Sequence, residues 1–348
     1  MSMKISESLS RQLSTVSFIA TVLVVMCHCD DFMANKNFPV QFLGGIFSDA
    51  NVHNFFFLSG FFVATRFTDA GWYRTAIFKR LRTLGIPYLI WCILYLCENI
   101  FSSRLGFHNH CLGRLDLWNV FGIGFLTPPI DFALWYIKTL FYFIIVSPFF
   151  FRLQYKSKWT LPIIACVIFA IKISPIGRLP EFRLGFNLVG FCCFLLGAQM
   201  AFSKDLRDAL LCSNTLRGLS FIATRFGAWL WLIDWVGAAI FIQLTGGLLH
   251  QILHPLYIVF SVICLHQIVA NLPWRVVDLF TKSSFIIYAS HFMILHLISP
   301  FCNNLFAGKP ISCYMTMLIV SLSSGVLVTV LLRSISPVLL SLLSSGRG

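Results

Sequence analysis

Apolar stretches close to twenty residues long recur along the chain, parted by short polar clusters. Breaking the chain at charged, glycine and proline clusters leaves about ten of them. They lie near residues 14–30, 52–67, 84–101, 131–151, 160–175, 184–202, 222–245, 251–270, 283–300 and 311–332. An α-helix needs roughly 20 residues, at 1.5 Å each, to cross a bilayer core. Lipid offers the backbone no hydrogen-bond partner, so the stretches are predicted to be helices. No internal repeat or low-complexity segment interrupts them.

Composition turns that pattern into a class. Hydrophobic residues make up 58% of the chain and charged residues 11%, against about 25% charged in soluble domains. A soluble core could not hide the 37 phenylalanines. The expected fold is an all-α integral membrane protein, with residues 1–348 forming a single transmembrane domain and no soluble domain. No small-residue cleavage site follows the first apolar run, so the first span is expected to stay in the mature protein.

Net charge is +13, which in a soluble protein would point to nucleic acid. Here the basic residues sit in short loops, where they set topology, and no nucleic-acid partner is expected. With a cytoplasmic N-terminus, one set of alternating segments holds seventeen basic residues, among them Lys4, Arg66, Arg74, Lys79, Arg80, Arg82, Arg152, Lys156 and Arg347. The opposite set holds seven, among them Lys36, Arg104, Lys172 and Lys309. That bias predicts ten spans with both termini cytoplasmic. The 12 cysteines lie mostly inside apolar runs such as "GFCCFLLG". They show no metal-ligand spacing, so they read as reduced packing residues and no metal is expected.

Polar residues inside spans are where chemistry is to be sought, because lipid makes them costly. The first span ends "FIATVLVVMCHCDD", which puts His28 in its outer third. Ser59 of "FFFLSGFF", Trp135 and Lys138 of "FALWYIKTLF", and Glu98 at the outer end of the third span fall near the same level. Other readings stand beside these. Ser59-Gly60 also fits a close helix contact, Lys138 a snorkelling cation, and His28 a structural imidazole bonded to a carbonyl. Asp30 and Asp31 read as solvated loop residues. Asp234 and His291 lie within spans with no nameable partner, and His250, His254 and His266 read as structural.

Taken in order, several of these pieces resemble the acyltransferase-3 family of membrane O-acyltransferases across essentially the whole chain. They are the first-span histidine in "VLVVMCHC", the "FFFLSGFF" segment, the basic run and proline of "FKRLRTLGIPYLIW", "LWYIKTLFYFIIVSP" and the late "FIIYASHFMIL". The resemblance implies transfer of an acyl group, usually acetyl, from cytoplasmic acyl-coenzyme A to a carbohydrate hydroxyl. Implied acceptors include lipopolysaccharide O-antigen, other surface polysaccharides or a lipid-linked sugar, at a bacterial inner membrane. The family usually carries an arginine eleven residues before the first-span histidine, and Ser17 stands there. Arg11, Arg80 or Arg82 would have to compensate, or the chain is a non-catalytic relative.

A sugar hydroxyl needs a base as it attacks a thioester. His28 is the expected general base, held by Glu98 or Asp31. Ser59, or backbone amides near Gly60, would position substrate or stabilise the oxyanion. Lys79, Arg80 and Arg82 would grip the donor's phosphates, with Trp135, Lys138 and His291 positioning substrate. A ping-pong route through His28 or Ser59 stays open. So does a different class, a polysaccharide or lipid-linked sugar transporter. The outer stretch "NHCLGRLDLWNVFGIGFLTPPID" is expected to shape acceptor choice.

Overall fold

A computed structural model describes residues 6–35, 37–46, 48–67, 72–104, 120–123, 129–157, 159–174, 186–203, 221–272 and 276–344. Every regular element among them is helical. In chain order they are α1 (Glu7–Asp31), α2 (Phe38–Ile46), α3 (Ser48–Ala64), α4 (Trp72–Arg80) and α5 (Ile86–Arg104), followed by α6 (Trp135–Lys156) and α7 (Thr160–Ile173). Then come α8 (Leu188–Phe202), α9 (Phe221–Leu244), α10 (Gly247–Ala270), α11 (Asp278–Leu305), α12 (Pro310–Ile335) and α13 (Pro337–Leu343). Each of the ten apolar stretches coincides with one helix.

Among the described residues, six helices are long and apolar enough to cross a membrane: Glu7–Asp31, Ile77–Arg104, Phe132–Gln154, Leu249–Ala270, Asp278–Leu305 and Pro310–Ile335. Three more, Thr160–Ile173, Leu188–Phe202 and Ala228–Leu244, are apolar but shorter. Large apolar side chains stand exposed along α12, among them Ile319, Leu327 and Leu331. Such a face suits lipid rather than water. The chain is a multi-pass membrane protein. Most of the outer stretch expected to shape acceptor choice, and the loop cations Lys36, Lys4 and Arg347, lie outside the described residues.

The residues cluster into two compact units. The first comprises Met1–Ala20, Asp49–Ile77 and Leu140–Val277. A close crossing in it joins α3 and α8. A Cβ on Gly60 would stand 1.9 Å from the Phe194 carbonyl oxygen, and one on Gly197 would stand 1.9 Å from that of Phe57. Two glycines, one per helix, thus let the backbones touch where no side chain fits. Phe143, Phe191 and Phe194 fill the space beside this crossing, with ring centroids 5.0–6.1 Å apart. Gln154 donates to Gln199 at 2.8 Å, and Trp235 on α9 donates to Ser261 on α10 at 2.9 Å. His250 bonds the Ile242 carbonyl at 3.2 Å and stacks on His254, a structural arrangement.

The second unit comprises Thr21–Ser48, Phe78–Thr139 and Asp278–Gly348. Here α11 and α12 form a hairpin turning at Gly308, whose φ of 78° favours glycine. Gly325 lets α12 close on Ile287 of α11. Ser336 caps α13 through the Leu339 N–H, with Pro337 in the first turn. Trp91 of α5 donates to the Leu343 carbonyl at 3.1 Å, which fixes α13 against α5. Before α5 the chain runs through one π-turn, Leu81–Gly85, where Ile86 N–H bonds to the Leu81 carbonyl. Pro87 has no N–H to give, and a wide turn is one way to absorb the missing bond.

Candidate functional site

The end of α1 departs from its sequence reading. Asp30 and Asp31 were expected in a solvated loop, but α1 runs on through both. Three residues is nearly one helical turn, so His28 and Asp31 share a face. His28 Nδ1 lies 2.8 Å from Asp31 Oδ2. A carboxylate only accepts hydrogen bonds, so Nδ1 carries the proton and the neutral ring keeps its lone pair on Nε2. The carboxylate partner of His28 is therefore Asp31.

Glu98 is engaged elsewhere in the same unit. Its buried carboxylate receives His296 Nδ1 at 2.9 and 3.1 Å, and Asn99 Nδ2 at 3.2 Å. His296 sits on α11, five residues beyond His291. Phe292 lies between them in sequence and packs its ring edge against His28, with centroids 5.4 Å apart. Phe32 and Tyr95 also pack on Phe292, at 5.0 and 5.9 Å, and Tyr95 reaches His296 at 6.4 Å. Asn303 fixes the chain leaving α1: it donates to the Phe32 carbonyl at 3.0 Å and accepts from Ala34 N–H at 3.1 Å. Tyr314 adds a bond to the Met26 carbonyl at 2.8 Å.

His291 is fully buried beside His28, with ring centroids 5.3 Å apart. Its Nδ1 faces the Tyr288 carbonyl at 2.6 Å. Three helices, α1, α5 and α11, thus bring two His–carboxylate pairs and a further imidazole around one aromatic cluster. An imidazole oriented through Nδ1 by a carboxylate is built to take a proton on Nε2.

The remaining candidates are dispersed. Trp135 and Lys138 open α6 in this same unit, after a short 3₁₀ turn at Phe132–Leu134 that Asp131 caps by accepting from Ala133 N–H at 3.1 Å. Tyr288 donates to the Ala133 carbonyl and so links that turn to the His291 helix. Lys79 and Arg80 close α4, and Arg82 lies in the π-turn. From Arg82 to Glu98 is sixteen residues of nearly continuous helix, about 24 Å. The cations therefore occupy the opposite end of the helix from Glu98. Ser59 and Gly60 belong to the first unit, where Gly60 serves the crossing with α8. Ser17 is buried there, and Arg11 pairs with Glu7 one turn away. Among the described residues no group of three His, Cys, Asp or Glu side chains is placed to hold a metal ion.

A family model described as an acyltransferase domain matches residues 16–333, nearly the whole chain. The chain belongs to the acyltransferase-3 family. No curated protein and no solved structure matches it at a significant level. In this acyltransferase the sequence alone missed His296, Phe292 and Asn303. The partners of His296 and Asn303 lie far away in the chain, 198 residues apart for His296 and Glu98. A buried Glu-Asn dipeptide inside an apolar helix was the one available signal that some distant cation or donor had to meet it.

Proposed function

We propose that this acyltransferase transfers an acyl group, acetyl in the simplest case, from acyl-coenzyme A to a hydroxyl of a cell-surface carbohydrate or lipid-linked sugar, at a bacterial inner membrane. The observation that carries the reading is the His28–Asp31 pair at 2.8 Å, which leaves Nε2 of His28 as a proton acceptor. His28 Nε2 takes the proton as the hydroxyl oxygen bonds to the thioester carbonyl carbon. The C–S bond then breaks, and the departing thiolate receives that proton from the imidazolium. Ester and free thiol result, with no net proton released. Asp31 holds the ring and stabilises its charged form.

Lys79, Arg80 and Arg82 are suited to the donor's phosphates through charge-assisted hydrogen bonds. Their distance of about 24 Å along the helix from the level of Glu98 supports that division of labour. Arg11 is the weaker candidate for this role because Glu7 already pairs with it. Trp135 and Lys138 position the acceptor from α6.

The test is transfer of label from radiolabelled acetyl-coenzyme A in membrane vesicles carrying wild-type protein or His28→Gln, with host glycolipids as acceptor. Alkali-labile ester formed by wild type alone is the expected result. Equal labelling by both proteins would remove His28 as base. Failure of both to bind donor would overturn acyl transfer itself.

A further inference from the structure

Asp234 belongs to the first unit and stands inside the apolar part of α9, Ala228–Leu244. It lies about 9 Å along the axis from one end of that part and about 15 Å from the other. Trp235, Ala239 and Ile242 are buried, and Trp235 donates to Ser261, so this side of α9 packs on α10. The other side is open. Leu230, Ile233, Phe241 and Leu244 are more than half exposed, and Asp234 and Gly237 are exposed among them. Steps of three and four residues put these six positions on one stripe of the helix.

Apolar exposure of this kind suits lipid, but a carboxylate in the middle of it does not. Asp234 has no hydrogen-bond or ion-pair partner among the described residues. The buried Cys264 thiol of α10 is within its electrostatic reach, but a thiol supplies no positive charge. Aspartate is also too short to snorkel to the interface as Lys and Arg do. Its charge therefore calls for a cation brought to the same depth. Gly237, one turn on, has nothing within 4 Å of the place where a Cβ would stand. A glycine beside the carboxylate lets another helix backbone come close. A second copy of this chain would bring Asp234 against Asp234 at equal depth, and like charges repel.

We propose that this stripe of α9 docks a transmembrane helix of another protein, one that carries Lys or Arg near the middle of its span. The cation meets Asp234, the partner's backbone lies along Gly237, and Leu230, Ile233, Phe241 and Leu244 pack around the pair. None of these residues has a part in the chemistry assigned to His28, so docking and acyl transfer stand or fall separately.

The experiment uses full-length protein, fluorescently labelled, in phosphatidylcholine vesicles with labelled synthetic apolar helices of about 20 residues. The helices differ only at the central residue, which is Lys, Leu or Asp. Energy transfer reads binding. Wild type should bind the Lys helix at least about tenfold more tightly than the Leu helix. Asp234→Asn keeps the volume and should bind those two alike. Asp234→Lys should reverse the choice and prefer the Asp helix. Gly237→Leu, which fills the open space beside the carboxylate, should weaken binding of the Lys helix by about tenfold. Helical circular dichroism and elution as a single peak check that each variant is folded. The inference is overturned if wild type binds the Lys and Leu helices equally, or if Asp234→Asn keeps the preference. It is overturned in favour of a second copy if energy transfer between two labelled copies of the protein is strong in wild type and lost in Asp234→Asn. If a variant does not accumulate, the wild-type comparison of Lys and Leu helices decides alone.

Discussion

At the scale of single residues, orientation matters more than presence. Any imidazole accepts a proton, but a base needs its free lone pair on a fixed ring nitrogen, and the Asp31 carboxylate beside Nδ1 leaves that of His28 on Nε2. Replacing Asp31 with Asn keeps the volume and removes the charge that stabilises the imidazolium. We expect kcat to fall by about 10²-fold or more with acceptor KM little changed, measured as ester formation at matched protein level. An unchanged kcat would mean that the pair is incidental. Glu98 and His296 make a different prediction, because both partners are largely buried. Glu98→Gln strips the charge from a pair whose imidazole stays in place. The expected loss is about 1–3 kcal/mol of stability, read as a lowered unfolding midpoint in detergent. Adding His296→Phe to Glu98→Gln should restore part of it, since the buried donor is then gone as well. Strict additivity of the two losses would argue against the pair.

Among elements, close approach and local irregularity stand out. The α3–α8 crossing depends on Gly60 and Gly197, each lying against a carbonyl of the other helix. Gly60→Ala puts a methyl carbon where that oxygen is, and the helices must separate. The expected cost is about 1–3 kcal/mol. Gly237→Ala is the control: nothing lies within 4 Å of its added Cβ, and better helix propensity should leave stability equal or slightly higher. Comparable losses at both positions would show that the crossing is not special. The π-turn at Leu81–Gly85 is the irregularity that carries Arg82 into α5. It was not legible beforehand, although Pro87 and Gly85 flagged a break in helical bonding there. A proline marks that a bond is missing but not how the backbone absorbs it.

For the whole molecule, the proposed donor-binding cations and Glu98 lie at opposite ends of one helix. Arg80→Gln and Arg82→Gln together should raise KM for acetyl-coenzyme A by about tenfold or more, leaving acceptor KM unchanged, because the proposed phosphate contacts are lost at the end of the helix away from Glu98. A rise in acceptor KM instead would assign them to the other substrate. The loop-charge bias sets an expectation for topology as well. Reporter fusions at either end should both lie on the cytoplasmic side, which requires an even number of spans. Opposite sides for the two ends would exclude ten.

Some of this was determined by the sequence alone, for a simple reason: the information was local. Apolar runs with no polar backbone partners in lipid must be helical, and each run became a helix. The three-residue spacing of His28 and Asp31 already contained their pairing once the helix was carried to its true end. The resemblance read from scattered motifs agrees with the family match over residues 16–333. Other features were decided only by tertiary structure. Glu98 finds His296, Asn303 pins the chain beyond α1, and Gly60 meets the backbone of Phe194. His291 comes beside His28 with its Nδ1 already committed. Each depends on which helix faces which, and lipid-buried helices are apolar all round, so periodicity does not reveal the facing side. Packing of small residues and a few distant polar pairs chooses it instead, and that choice sets which imidazoles share the site.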